Sequence, residues 1–193
     1  MNMTFITPAK VRDDEVIKFK LNKHLSDEGK DETIQATKKL FDEIDSTQNF
    51  FVSTDFDAVE TAQLILSNKN KKLIIIDELR KRDNLGYLKK LNYDEIMIEH
   101  AEEIEELDNI HFTVKGGESY FDFAARLLAA MDKIIIENLD EERIMIIANQ
   151  AIIDCFFRER LAFDLEQADP LTMFELSTED GETFEIVSFN QYL

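Results

Sequence analysis

The sequence predicts an α/β fold: a three-layer αβα sandwich around a mostly parallel central sheet. Short apolar runs rich in β-branched and aromatic residues recur along the chain. They do not alternate with polar residues, which is typical of strands buried on both faces. Helical stripes with a 3.6-residue period separate these runs, and strands that alternate with helices favour a covered parallel sheet. The 193 residues suffice for one domain with a substantial core.

Four runs carry the strand signature, and they are residues 4–6, 50–53, 73–76 and 144–148. The apolar stripes of the predicted helices lie within residues 34–44, 56–66 and 120–135, and the last is the longest. Gly116-Gly117 supplies a flexible turn before that helix, and Ser119 is its predicted N-cap.

The last part of the chain departs from this alternation of strands and helices. Asp180-Gly181 lies between two strand-like runs and predicts a C-terminal hairpin around residues 172–189. No linker interrupts the chain, so residues 1–193 are predicted to form a single domain.

Residues 94–108 form an acidic stretch and predict a helical insertion around residues 88–110. Six glutamates surround four apolar residues there, Ile96, Ile98, Ile104 and Leu107. The pattern favours a solvated helix with an apolar underside. An acidic lid, or a docking face for a basic partner, is the alternative.

The formal net charge of −19 excludes some classes of partner. Nucleic acids bind basic surfaces, so we expect no nucleic-acid partner. The same charge repels anionic membranes and phosphorylated substrates unless a local basic patch overrides it. Hydrophobic residues make up 44% of the chain and charged residues 33%, which is ordinary for a soluble globular protein.

Cys155 is the only cysteine, which excludes an intrachain disulfide, and its apolar surroundings predict a buried structural thiol.

The first residues lack the pattern of a secretory signal, and no run approaches the roughly 20 apolar residues that cross a bilayer. We therefore expect a cytoplasmic protein. We expect no cofactor, and no spacing of His, Cys or carboxylate residues indicates a metal site.

A series of motifs runs nearly from end to end of the chain. They are Thr7-Pro8-Ala9, residues 25–29, Ser53-Thr54-Asp55-Phe56 with Thr61-Ala62, Asp77-Glu78-Leu79-Arg80 with Gly86, Gly116-Gly117-Glu118-Ser119 with Arg126, and residues 143–148 with Asn149-Gln150. Their order and spacing resemble those of the histidine phosphatase (phosphoglycerate mutase-like) superfamily. The resemblance implies the αβα fold and a site where the strands end.

The resemblance also implies a set of catalytic positions, and this chain departs from the family at all of them. Members transfer a phosphoryl group to a histidine, with two arginines and a second histidine around the phosphate and a carboxylic acid as proton donor. The positions aligned with the first arginine, the nucleophile, the second arginine, the acid and the second histidine are Thr7, Pro8, Ala58, Lys81 and Asn149. No histidine precedes residue 24, and the three histidines, His24, His100 and His111, are predicted to lie at the surface.

The sequence therefore predicts a degenerate member of this superfamily that acts as a binding or regulatory module. Residual ligand contacts are expected from Lys10, Ser53, Arg80 and Glu118. One alternative is a divergent hydrolase of phosphorylated or related small molecules that uses Glu78 or Asp55 with a bound metal ion. The other is a scaffold that acts through its acidic face. A protein partner, a small ligand and a homodimer all remain open.

Overall fold

Six strands form one sheet in the computed structural model, which describes residues 1–12, 23–67, 69–165 and 167–191. The strands are β1 (Asn2–Ile6), β2 (Asn49–Ser53), β3 (Leu73–Ile76), β4 (Arg143–Ile147), β5 (Thr172–Ser177) and β6 (Glu185–Gln191). Their order across the sheet is β3-β2-β4-β1-β5-β6. The pairs β1–β4, β2–β4 and β2–β3 are parallel, whereas β5 runs antiparallel to both β1 and β6.

Helices cover both faces of the sheet. They are α1 (Asp27–Lys39), α2 (Phe41–Ser46), α3 (Phe56–Ile65), α4 (Tyr93–Glu99), α5 (Ala101–Glu105), α6 (Tyr120–Glu137) and α7 (Gln150–Leu161). Short 3₁₀ helices span Asp77–Leu79, Gly86–Lys90 and Glu106–Asp108. No helix within the described residues has both the length and the apolar composition needed to cross a membrane.

Alternate residues of the central strands enter two separate cores. Ile144 and Ile146 of β4 pack with residues of α6 and α7, whereas Met145 and Ile147 pack with residues of α1 and α3. A strand presents successive side chains to opposite faces, so a run that is apolar throughout supplies both cores. This arrangement confirms the predicted fold class.

The ends of the helices follow the local sequence signals. Ser119 caps α6, as predicted, because its Oγ accepts a hydrogen bond from the Asp122 N–H at 3.1 Å. Ser26 caps α1 in the same way through the Gly29 N–H at 3.0 Å. Gly29 is required there, since a Cβ atom would lie 2.2 Å from the Lys10 carbonyl oxygen.

The C-terminal part of the chain adds the hairpin of β5 and β6 to one side of the sheet, with the Asp-Gly turn between the two strands. Gly181 has a φ of 77°. Oδ1 of Asp180 accepts hydrogen bonds from the backbone N–H groups of Glu182 (2.8 Å) and Thr183 (2.7 Å). These bonds, led by that from Thr183, lower the pKa of Asp180 to about 2. The side chain thus favours this turn at neutral pH.

The acidic stretch contains α4, α5 and the turn at Glu106–Asp108. Ile96 is buried beneath it, but Ile98 is 81% exposed, so Ile98 does not belong to the expected apolar underside. A capping box between Asn92 and Glu95 begins α4. Tyr87 donates its hydroxyl hydrogen to Glu103, which joins α5 to the preceding turn.

Candidate functional site

A cavity of about 340 Å³ lies at the carboxyl ends of β1 and β4. Its walls come from the segments that follow these strands, from α3 and from the segment before β5, and the lining residues are Thr7, Pro8, Ala9, Lys10, Val11, Asp57, Asn149, Gln150, Ala168, Asp169 and Pro170. Ligand crevices of open α/β sheets form at this edge. Three of the predicted positions, Thr7, Pro8 and Asn149, meet here.

The hydroxyl of Thr7 is engaged by the backbone that leads into β5. Thr7 is 4% exposed. Its Oγ1 donates to the Asp169 carbonyl at 3.0 Å and accepts from the Thr172 N–H at 2.9 Å. The side chain at this position therefore secures β5 against β1.

Pro8 presents a saturated ring to the cavity and has no side-chain donor, acceptor or titratable group. The next residue, Ala9, donates its N–H to the Thr61 hydroxyl on α3 at 3.0 Å. This bond holds the segment after β1 against α3. The cavity wall at Pro8 is thus well positioned but chemically inert.

Asp57, and not Ala58, faces the cavity from α3. Ala58 is fully buried and packs in the core between the sheet and helices α1 and α3, which corrects its prediction as a pocket position. Neighbouring helical residues point about 100° apart, so the start of α3 at Phe56 decides which of them enters the cavity. Asp57 is only 4% exposed.

The side chain of Lys81 forms an ion pair with Asp57. The Lys81 Nζ lies 3.0 Å from Asp57 Oδ2, and the lysine side chain is 24% exposed. The backbone N–H of Ala58 donates to the other oxygen of Asp57 at 2.9 Å. Lys81 thus reaches the predicted site through Asp57.

Asn149 and Asp55 complete this polar network. The side-chain amide of Asn149 donates to Asp55 Oδ2 at 3.3 Å and to Asp57 Oδ1 at 3.4 Å. Asp55 Oδ2 also accepts from the Lys81 N–H at 3.1 Å and from the Ser53 hydroxyl at 3.1 Å. Ser53 therefore supports Asp55 and does not line the cavity.

Burial raises the pKa of the Asp55 carboxyl, and the neighbouring charge of Asp57 raises it further. Lys81 and the hydrogen bonds from Lys81 N–H and Ser53 act in the opposite direction. Asp55 is 4% exposed. Asp55 therefore holds its proton more readily than an ordinary aspartate does.

The other predicted contacts fall into two groups. Lys10 lines the cavity and forms an ion pair with Glu28. Arg80 pairs with Asp77 at 2.9 Å, and Glu118 accepts two hydrogen bonds of 2.8 Å from Arg126. Neither Arg80 nor Glu118 is among the residues that line the cavity. Both belong to the loops beside α6.

The three histidines lie in the described ranges, and none of them lines the cavity. His24 is paired with Glu60 and is 57% exposed, and His100 lies beside Glu103 at 2.8 Å. Cys155 is buried as predicted, and burial raises the pKa of its thiol.

Sequence reasoning missed Asp57 and Asp169. An acidic residue in the first turn of a helix is the ordinary complement to the helix dipole, so Asp57 carries no distinctive sequence signal. Asp169 lies in a segment without helical or strand periodicity. Thr61 accepts a hydrogen bond from the segment that follows β1. Asp57 lies four residues earlier on the same face of α3, so an alignment based on Thr61 would have identified it.

A mostly parallel sheet covered by helices, with a crevice at its carboxyl edge, defines an α/β protein of a type whose ligand crevices form at that edge. The model of the histidine phosphatase superfamily (branch 1) matches residues 10–191, so the chain belongs to this superfamily. The match begins just after Thr7, Pro8 and Ala9. No curated protein matches the chain.

Solved structures of phosphatases share the fold. The chain is similar to the alpha-ribazole phosphatase from Shigella flexneri (TM-score 0.76, 17% identity, covering 100% of this chain and 97% of that one). It is also similar to mycobacterial glucosyl-3-phosphoglycerate phosphatase (0.76, 16%, 100% and 99%) and to Bacillus stearothermophilus YhfR (0.79, 16%, 96% and 94%). At these identities the likeness establishes the fold.

Proposed function

We propose that this chain is a member of the histidine phosphatase superfamily that binds a ligand or partner without transferring a phosphoryl group. The observation that carries the proposal is Pro8, which lines the cavity at the position where the resemblance expects the nucleophilic histidine. A proline nitrogen within the backbone cannot attack phosphorus or carry a proton. On the sequence grounds above, we propose a cytoplasmic location.

The charges around the cavity support this proposal, because they are reversed relative to a phosphate site. Asp57 enters from the side where the second arginine is expected, and Lys81 stands where the acid is expected. Thr7 replaces the first arginine, and its hydroxyl is bonded to backbone. Each lost charge-assisted contact to phosphate removes about 1.5–3 kcal/mol of binding free energy, and Asp57 adds repulsion.

The composition of the wall favours a neutral or positively charged ligand. Pro8, Val11, Ala168 and Pro170 supply apolar surface, and Asn149 lines the cavity beside them. The carboxylates of Asp57 and Asp169 face the cavity, whereas the nearby ammonium groups of Lys81 and Lys10 are paired with Asp57 and Glu28, which leaves little positive charge to attract an anion. The phosphorylated substrates implied by the names of the similar phosphatases are therefore poor candidates for this cavity.

A divergent hydrolase remains the second candidate, because the raised pKa of Asp55 suits a proton donor. Asp55 lies next to the cavity, whereas Glu78 lines a separate groove that shares no residue with it. Within the described ranges, no group of three or more His, Cys, Asp or Glu side chains is placed to hold a metal ion. Asp55 is thus the residue that tests this alternative.

The first experiment measures phosphate release from an aryl phosphate and the intact mass of the protein after exposure to it. We expect no turnover above that of a Pro8→Ala variant, and no gain of a phosphoryl group. Inorganic phosphate should leave the melting temperature unchanged, since a ligand stabilises only a protein that binds it. Turnover that survives purification and is abolished by Asp55→Asn would establish the hydrolase instead.

The second experiment rebuilds the family residues. The variant carries five substitutions, Thr7→Arg, Pro8→His, Asp57→Arg, Lys81→Glu and Asn149→His. We expect vanadate to stabilise it, although groups that act as one unit demand accurate placement. A matched variant with Ala58→Arg in place of Asp57→Arg should fail to fold, because it buries a guanidinium in the core. A folded quintuple variant that binds neither phosphate nor vanadate would show that more than these five residues has changed.

A further inference from the structure

One wall of the ligand cavity is held in place by a side chain of α7. This wall consists of Ala168, Asp169 and Pro170, which belong to the segment that leads into β5. The Ala168 N–H donates to Oε1 of Gln150 on α7 at 3.0 Å. The segment ends at Leu171, whose φ of 59° lies in the left-handed region that a leucine rarely adopts. Strained backbone of this kind keeps its shape only while the surrounding bonds hold it.

The amide of Gln150 is oriented in turn by a carboxyl group one helical turn later. Asp154 lies four residues further along the same face of α7, and its carboxyl group accepts a hydrogen bond from Gln150. A backbone N–H can only donate, so Ala168 takes the oxygen end of the Gln150 amide and leaves the NH₂ end for Asp154. The three groups thus form a chain from α7 to the cavity wall, in which each hydrogen bond strengthens the next.

The carboxyl group of Asp154 can change its charge within this chain. Its Oδ1 atom is buried and has no hydrogen-bond partner among the described residues. Burial raises the pKa of Asp154 to about 6. The bond from Gln150 and the charge of Arg158 act against that rise, whereas the charge of Asp164 adds to it. Arg158, on α7, and Asp164, on the segment after it, are paired with each other at 2.7 Å.

Protonation of Asp154 reverses what it requires of the Gln150 amide. The hydrogen bond from Gln150 lowers the pKa of Asp154, so by linkage the negative charge stabilises the present orientation of the amide. A protonated carboxyl group carries an O–H that must donate, because a buried donor without an acceptor is costly. The neighbouring acceptor is Oε1 of Gln150, which becomes available when the amide turns over. The NH₂ group of Gln150 then faces the Ala168 N–H, two donors meet, and that bond is lost.

We propose that Asp154 is a positioning residue of the cavity, and that its protonation releases the wall at Ala168 by turning over the amide of Gln150. The charged carboxyl group holds the wall in the arrangement described, whereas in acid only the bond from Thr7 still holds Asp169. A consequence for ligand affinity rests on the proposed function, but the release of the wall does not. The test therefore uses the protein without ligand, and its result does not depend on whether the cavity binds one.

Nuclear magnetic resonance between about pH 5 and pH 8 tests the proposal. The chemical shift of the Ala168 N–H should titrate with a midpoint near pH 6. Its protection from hydrogen exchange, corrected for the intrinsic rate, should fall about tenfold in acid, because one hydrogen bond is lost. Asp154→Asn should abolish both changes, since residue 154 then takes up no proton. Asp164→Asn should lower the midpoint, because it removes a like charge and releases Arg158 from its pair.

Gln150→Leu separates the proposed relay from a direct effect of the charge on the amide. This variant keeps Asp154 but removes the link, so the Ala168 signal should stay at its acid position at every pH. Circular dichroism checks that each variant is folded. A signal that still titrates in Gln150→Leu would show that the charge acts without Gln150 and would overturn the proposal. A wild-type Ala168 signal that does not titrate near pH 6, or protection that rises in acid, would overturn it equally.

Discussion

The ion pair between Lys81 and Asp57 gives the sharpest prediction about stability. Lys81→Met removes the only ammonium group within 4 Å of Asp57 among the described residues and leaves two buried carboxyl groups side by side. Loss of one partner from a fully buried pair costs about 3–5 kcal/mol. The lysine side chain is 24% exposed, so we expect a smaller loss of about 2–3 kcal/mol in the free energy of unfolding.

This loss should depend on pH in a defined direction. Burial already raises the pKa of Asp55, and Lys81 opposes that rise, so Lys81→Met raises the pKa in the folded state further. A carboxyl group whose folded pKa exceeds its unfolded value loses stability as the pH rises through the folded pKa. The deficit of the variant should therefore be largest at neutral pH and smallest below about pH 4.

Thermal unfolding at several pH values provides the assay. A deficit of 2–3 kcal/mol corresponds to a fall of roughly 5–10 °C in the melting temperature of a domain of this size. Lys81→Met combined with Asp57→Asn should be more stable than Lys81→Met alone, because it removes the unpaired charge. Lys115→Met, at an exposed position, should change the melting temperature little. Equal stability of Lys81→Met and wild type at neutral pH, or a deficit that does not shrink in acid, would refute the reasoning.

Three further substitutions test the packing and charge of other regions by thermal unfolding. Gly29→Ala should cost about 2 kcal/mol or more, because its Cβ would meet the Lys10 carbonyl at 2.2 Å; an unchanged melting temperature would contradict this close approach. Burial raises the pKa of Asp154 to about 6, so its charge destabilises the fold at neutral pH. Asp154→Asn removes that charge and should stabilise the protein at neutral pH by about 1 kcal/mol, a value reduced because the side chain is partly exposed. The gain should vanish near pH 4. Arg126→Lys should cost about 1.5–3 kcal/mol, because it loses the two-pronged contact with Glu118, and a melting temperature equal to that of wild type would contradict this.

The strands and the place of the cavity could be predicted from the sequence, because their signals are local. Residues 144–148 are apolar on every position, which indicates burial on both faces, and Pro8 and Asn149 directly follow strands. Residues after parallel strands meet at one edge of the sheet, so their convergence required no knowledge of packing.

Side-chain direction within a loop or a first helical turn could not be predicted in this way. Asp57 and Ala58 differ by one position, and the start of α3 decides which one is buried in the core. The sequence Arg80-Lys81-Arg82 by itself predicts a single basic loop exposed to solvent. In the fold Arg80 pairs with Asp77, Lys81 with Asp57, and Arg82 with the segment that follows α5.

The environment of Arg82 has a consequence for how the protein opens. Its guanidinium group donates to the carbonyl oxygens of Ile110, Phe112 and Glu118 and to the Thr113 hydroxyl, at 2.6–2.9 Å. One side chain thus ties four points of the segment between the acidic stretch and α6. When one of these bonds breaks, the other three still hold the segment to the same guanidinium group, so its full release from Arg82 requires all four to be broken. We therefore expect the segment between the acidic stretch and α6 to open as a unit rather than residue by residue.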